Sequence, residues 1–212
     1  MNLHIIPGHG GNPYDPGALG NGYKEAEQVR ILAKRIKELG GDQVTLVETE
    51  KDWLRENRIT TYPFPKGTEI LELHLDAFDN PNSKGGHVII DADFQPDAYD
   101  KKLAEMISTM FPGRSITLDK RNLGNTNRAQ AKGVSYRLME CCFITNKDDM
   151  VKFVKSIDEL ARKILKVFGI TPVDETTTAK PVETPAKEAA PEPKTMKIQL
   201  VFTDEKGGNF TV

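Results

Sequence analysis

The chain has 212 residues, enough for one well-packed domain and a tail. Its formal net charge is -2 and no block of Lys or Arg stands out, so nucleic acid is not an implied partner. The apolar runs are far too short for membrane insertion, and no basic flank leads into an apolar segment at the N-terminus, so cytoplasmic synthesis is expected.

Asn2 to Ile6 reads as a first strand running into Pro7-Gly8-His9-Gly10-Gly11. In an open α/β sheet, ligands collect outside the carboxyl ends of the strands. Glycine on either side lets the backbone approach a bound group closely. His9 is therefore a candidate zinc ligand, the alternative being a turn histidine with no ligand. A Gly-rich loop over residues 10–22 follows, long enough to suggest a role at a site.

A helix is predicted from Tyr23 to Leu39, stopped by Gly40-Gly41. Val29, Leu32, Ile36 and Leu39 form its apolar stripe, and Glu25 heads the same face. A carboxylate there is costly unless it is paired, and a metal ion is one partner it can have. The helix N-terminus is a weaker one, and an ordinary first-turn glutamate remains open. Gln43 to Glu48 reads as a second strand. Lys51 to Thr61 reads as weakly helical, ending before Tyr62-Pro63-Phe64-Pro65.

Glu69 to Leu75 reads as a third strand. Alternation puts Ile70, Glu72 and His74 on one face and Leu71 and Leu73 on the other. His74 stands at the strand's carboxyl end, like His9. Glu72 reads as an edge charge, the alternative being a group that orients a metal ligand. His87 to Asp91 is a fourth strand. His87 starts it, and is read as structural or exposed; His4, inside the first strand, is read as packed. A helix from Asp97 to Phe111 ends at Pro112-Gly113. A short strand, Ser115 to Leu118, leads into a polar loop over residues 119–131 with Lys120, Arg121, Asn122, Asn125, Asn127 and Arg128. That loop either lines a cleft or is simply solvated.

Val134 to Glu140 is the last predicted core strand, with Glu140 at its carboxyl end. The adjacent Cys141 and Cys142 suit neither a disulfide nor a zinc knuckle, and read as reduced packing residues. Asn146 reads as an N-cap. Lys147 to Phe168 reads as one helix with a stripe from Met150 to Phe168, stopped by Gly169. Residues 171–195, rich in Pro, Thr, Glu, Ala and Lys, are expected to be a flexible linker after a catalytic domain of residues 1–170. Residues 196–212 read as a β-hairpin. Such a hairpin is marginal alone and needs to dock on the main domain, on a partner, or on another copy by self-association.

Strands alternating with helices predict an α/β fold: a twisted, mostly parallel sheet of about six strands with helices on both faces. His9, His74 and Glu140 then fall at strand ends and Glu25 at a helix start, all on one rim. Two histidines and a glutamate form a known catalytic zinc set, with the fourth position left for water. A carboxylate near that metal moves protons, and Glu140 is the candidate.

Three pieces, IIPGHGGNPYDPGALGNGYKEAE, LELHLDAF and LMECCFITN, resemble in order and spacing the zinc-dependent N-acetylmuramoyl-L-alanine amidases of the type 3 catalytic family. The resemblance covers about residues 3 to 168. It implies one Zn2+ per chain held by His9, Glu25 and His74, with Glu140 as catalytic acid/base. It also implies peptidoglycan as substrate, cut between the lactyl group of MurNAc and L-alanine. Asp76 stands where the family often has Asn, and Cys142 where a Gly often precedes the Phe. With no visible signal and a tail after a linker, the chain looks like a phage endolysin, held in the cytoplasm until the membrane is permeabilised. The alternatives are a non-catalytic wall-binding protein on the same fold and a zinc peptidase acting on stem peptides.

Overall fold

The computed structural model describes residues 2–10, 15–173, 201–203 and 209–211. The chain falls into two units, Met1–Asp174 and Glu175–Val212. In the first, β1 (Asn2–Pro7) is buried along nearly its whole length, as expected of a parallel strand covered on both faces. The chain then makes a small antiparallel pair, β2 (Leu19–Gly20) with β3 (Tyr23–Lys24), and enters α1 (Glu25–Gly40). The helix starts two residues later than predicted. The Glu25 and Ala26 N–H groups, which have no partner within the helix, donate to the Ala18 and Pro16 carbonyls of the loop. It ends at Gly41, whose φ of 53° suits glycine.

A 3-10 turn (Gly41–Gln43) leads to β4 (Val44–Leu46), then to α2 (Arg58–Thr61) and β5 (Thr68–Asp76). Next come β6 (His87–Ile90), α3 (Ala98–Met110), β7 (Leu118–Lys120), α4 (Gly124–Lys132) and β8 (Ser135–Phe143). The unit closes with α5 (Lys147–Lys155) and α6 (Ile157–Val167). The six-stranded sheet has the order β4-β1-β5-β8-β6-β7. Strands β4, β1, β5 and β8 run parallel; β6 lies antiparallel to β8, and β7 is parallel to β6.

Period-2 alternation sorts the sheet into two cores. Leu3, Ile5, Leu71, Leu73, Val88, Ile90 and Met139 meet the stripes of α1, α3, α5 and α6 on one face. Ile6, Ile70, Ile89, Tyr136 and Leu138 meet Trp53, Ile59 and Ala129 from the α2 and α4 side. Each such buried aliphatic contributes about 1.5–3 kcal/mol of transfer free energy. This is the predicted α/β sandwich, with helices on both faces.

Five local expectations are corrected. The loop expected over 119–131 contains α4. Its buried positions are Asn125, Thr126 and Ala129, so no apolar stripe announces it. The helix is set instead by Thr126, whose hydroxyl accepts the Leu123 N–H, and by Gly133 at φ 70°. The predicted 147–168 helix breaks at Ser156 (φ -112°, ψ 16°) into α5 and α6, both keeping the apolar face. Of the weakly helical 51–61 stretch, only α2 is helix. The last core strand runs on to Phe143, so Glu140 lies within it, not at its end. Glu72 is no edge charge: β5 is a central strand and the residue is 3% exposed.

In the second unit, β9 (Val201–Thr203) pairs antiparallel with β10 (Asn209–Thr211), Phe202 opposite Phe210. The expected linker from 174 onward and the turn over 204–208 lie outside the described residues. Among the described residues, no helix is long and apolar enough to cross a membrane.

Candidate metal centre

The turn after β1 is pinned on both sides. Gly8 N–H donates to Leu73 O at 2.9 Å, joining it to β5. Arg30, one turn into α1, donates to Gly8 O (3.1 Å), His9 O (2.7 Å), Ala26 O (2.8 Å) and Thr49 O (2.9 Å). His9 is held at φ 65°, a left-handed conformation costly for a residue with a Cβ. The carbonyls gathered by Arg30 oppose relaxation of that turn.

Glu25, first residue of α1 and 3% exposed, is the hub. Its Oε2 lies 3.0 Å from His9 Nε2 and accepts Ala18 N–H at 2.9 Å. Its Oε1 lies 2.9 Å from His74 Nδ1 and accepts Leu75 N–H at 3.0 Å. Burial alone would raise this carboxyl's pKa, but the hydrogen bonds from His74 and His9 prevail and hold it far below the usual carboxylate range. By the same contacts the two imidazoles are raised despite burial, His74 strongly.

The structure thus brings His9, Glu25 and His74 together from β1's turn, α1 and β5. One ligand atom from each lies within 4.8 Å of the others. Two imidazole nitrogens and a carboxylate oxygen are a donor set suited to zinc. The backbone around them fits a tight centre. A Cβ on Gly8 would sit 2.4 Å from His74 Cε1, and one on Gly17 2.7 Å from His9 Cδ2 and 2.8 Å from Glu25 Oε2.

Glu140 lies outside that cluster but beside it, in register with His74 across β5 and β8. Its Oε2 is buried and has no hydrogen-bond partner among the described residues. Burial pushes its carboxyl up to about 7, against the pull of His74 and Arg114 and with help from the charge on Glu25. A cleft of about 210 Å3 opens at this rim, walled by His9, His74, Leu54, Leu123, Asn125 and Leu138. The polar segment around 119–131 therefore does line a cleft, through the head of α4.

Sequence reasoning missed three neighbours. Asp15 Oδ2 holds His9 Nδ1 at 3.0 Å; its place in the DPG turn was the available signal. His87 is buried and pairs in register with Glu140, because β6 runs antiparallel and its start shares the rim of the other strands' ends. Burial, with Arg121 nearby, brings the His87 pKa down to about 4, so it is a neutral imidazole. Arg114 pairs with Asp76 and lies 4.3 Å over the Phe143 ring. The two cysteines are free and buried, and burial pushes their thiols well above the ordinary value, which makes them inert.

The sequence profile of the N-acetylmuramoyl-L-alanine amidases matches residues 3–168. The chain is 29% identical over 191 residues to the probable autolysin PH of Staphylococcus aureus. It is 28% identical over 173 residues to the N-acetylmuramoyl-L-alanine amidase LytC of Bacillus subtilis. These matches take in 81% and 76% of this chain but 39% and 34% of the relatives' lengths. Among solved structures, the CwlD amidase of Clostridioides difficile, in complex with the GerS lipoprotein, superposes with a TM-score of 0.62 at 17% identity, covering 80% of this chain and 97% of that one. The catalytic domain of the CD27L endolysin targeting Clostridia difficile gives 0.60 at 22%, covering 82% and 99%. Likeness at these identities is one of fold.

Proposed function

The chain belongs to the N-acetylmuramoyl-L-alanine amidase family, and from that premise we propose that it cleaves the amide between N-acetylmuramoyl residues and the stem peptide's L-alanine, with one zinc per chain held by His9, Glu25 and His74. The observation that carries this reading is the convergence of those three donors beside an in-register Glu140 whose buried Oε2 has no hydrogen-bond partner among the described residues. When bound, zinc supplies a Lewis acid that polarises the scissile carbonyl and makes water a nucleophile near neutral pH.

The chain's own residues do the rest. His9, Glu25 and His74 are donors from three separate elements, so the fold itself sets their spacing. Glu140 handles the proton: its carboxylate takes one from the attacking water and returns it to the L-alanine nitrogen as the C–N bond breaks. A pKa near 7 suits a group that must accept and then give. Leu54, Leu123 and Leu138 give the cleft an apolar wall for the substrate to lie against.

The finer biological reading is a phage lysis enzyme, made in the cytoplasm and acting on the wall after the membrane is breached. An endolysin catalytic domain shares this fold. Residues 171–195 serve as a tether between residues 1–170 and a C-terminal segment of wall-binding or self-associating function. Among the described residues β9 pairs with β10 in a two-stranded sheet, and such a hairpin is marginal by itself, which favours a segment that docks on something.

The test is digestion of purified Gram-positive peptidoglycan with mass spectrometry of the products. Free stem peptides with new L-alanine amino ends, lost on chelation and restored by zinc, are expected. Shortened stem peptides would make it a peptidase, and binding without cleavage a wall-binding protein.

A further inference from the structure

Glu72 is a buried carboxylate with no part in the reaction described above. It sits on β5 two residues before His74, on the same face of the strand, and is 3% exposed. A buried charge is costly unless hydrogen bonds compensate it, and an apolar side chain at such a position would pack at less expense. Glu72 is compensated by donors from three directions. Its Oε1 lies 3.1 Å from His74 Nε2. Its Oε2 accepts Tyr136 O–H from β8 at 2.5 Å and Asn125 Nδ2–H from the first turn of α4 at 2.9 Å.

A carboxylate can only accept, so the contact with His74 requires the proton on Nε2. Without metal, Nδ1 likewise donates to Glu25, and it is that proton, not the one on Nε2, that an ion shared by His74, Glu25 and His9 would replace. His9 is fixed the opposite way round: Asp15 takes Nδ1 and leaves Nε2 for the centre. The two imidazoles thus offer different nitrogens, and each is set by its own carboxylate.

The network continues outward. Asn125 Oδ1 accepts from Arg128 Nη1 at 3.0 Å, and the same nitrogen donates to Leu54 O at 2.8 Å. Leu54, Asn125 and Glu72 all line the cleft. The side chain that orients His74 therefore also anchors the cleft wall.

We propose that Glu72 is a positioning residue that locks His74 in its Nε2–H tautomer and ties that ligand, through Asn125, to the wall against which substrate lies. The inference rests on the metal reading given above. A carboxylate that orients a ligating histidine typically accounts for 10–100-fold in metal affinity.

The test is a zinc titration against a competing chelator on the full chain, comparing wild type, Glu72→Gln and Tyr136→Phe. Long-range 15N–1H spectra of the imidazoles are recorded alongside. Glu72→Gln is expected to bind zinc about 10–100-fold more weakly and, in the zinc-loaded form, to lose the hydrogen-bond shift of the His74 Nε2 proton. Tyr136→Phe keeps the carboxylate on His74 and should stay within a few-fold of wild type. If Glu72 only stabilised the core, both variants would lower Tm alike and neither would change zinc affinity; that pattern overturns the proposal. Zinc-loaded wild type in which His74 lacks the Nε2 proton also overturns it, with no variant needed. Wild type that binds no zinc overturns the metal reading itself, whereas tight wild-type binding unchanged in Glu72→Gln removes this inference alone.

Discussion

His74 and Glu140 stand opposite one another in register on the parallel strands β5 and β8, yet one belongs to the donor cluster and the other does not. Adjacent strands keep their side chains on the same face. In the proposed reaction the sheet therefore delivers a ligand and a proton carrier to one spot without asking either to do both jobs.

That division is measurable. Glu140→Gln should keep one zinc per chain by elemental analysis while wall lysis falls 10²–10⁴-fold, the usual share of a general acid/base. His9→Ala should lose both the metal and the lysis. Zinc missing from the first variant would place Glu140 among the ligands.

The Glu140 carboxyl also makes a stability prediction. Its folded pKa, about 7, lies above the ordinary 4.5. The folded chain thus binds that proton more tightly than the unfolded chain. Its contribution is fully present below pH 4.5 and is lost as pH rises through about 7. In chelator-treated protein, Glu140→Gln escapes this loss. Urea titrations should find the variant more stable than wild type at pH 8, by up to about 3 kcal/mol, and the two nearly equal at pH 4.

Two glycines near the donors make steric predictions. A Cβ at Gly17 would fall 2.7 Å from His9 Cδ2, and its φ of 68° is strained for alanine. A Cβ at Gly8 would fall 2.4 Å from the His74 ring. Gly17→Ala and Gly8→Ala should both weaken zinc binding tenfold or more in the same chelator competition, corresponding to about 1.4 kcal/mol. Gly22→Ala, with open space around its Cβ, should leave zinc affinity unchanged.

At the other end of β8, Arg137 is 1% exposed and joins Glu69 (2.6 Å), Asp100 (2.8 Å) and Asp97 (3.2 Å). Arg137→Met would leave two of those carboxylates without their cation near the core. A loss of about 3–5 kcal/mol in denaturant unfolding is expected, with zinc stoichiometry unchanged at low temperature. A loss below about 1 kcal/mol would mean that solvent already screens the cluster.

Zinc itself should raise Tm. A ligand at a hundred times its Kd adds about 2.7 kcal/mol to the native state. Calorimetry should show that shift in wild type and Glu140→Gln, and none in His74→Ala.

Much of this arrangement is readable from residue order because two periodicities carry direction. Alternation through Ile70, Glu72 and His74 tells which side chains share a face, and the stripe from Val29 to Leu39 tells that Glu25 heads the buried side of its helix. What alternation does not carry is strand polarity. His87 opens its strand, so it looks remote from the other strands' ends until β6 is seen to run the other way. Helix α4 is silent for a different reason: its buried face is Asn125, Thr126 and Ala129, held by hydrogen bonds more than by apolar area. Glu72 reads first as an edge charge, with the orienting role only as its alternative, because a glutamate in a strand looks solvated and its donors come from sequence positions as far as Tyr136. The break at Ser156 leaves the apolar stripe on both sides nearly intact, so periodicity runs through it.

Arg30 has a mechanical consequence. By gripping the carbonyls of Gly8 and His9 it makes the first turn and α1 a single body. The same turn is bonded to β5 through Gly8 N–H and Leu73 O, so His9 couples the helix that carries Glu25 to the strand that carries His74. Sliding of helix against strand is then the motion that would open the triangle, and the bond from Leu75 N–H to Glu25 acts as a stop against it.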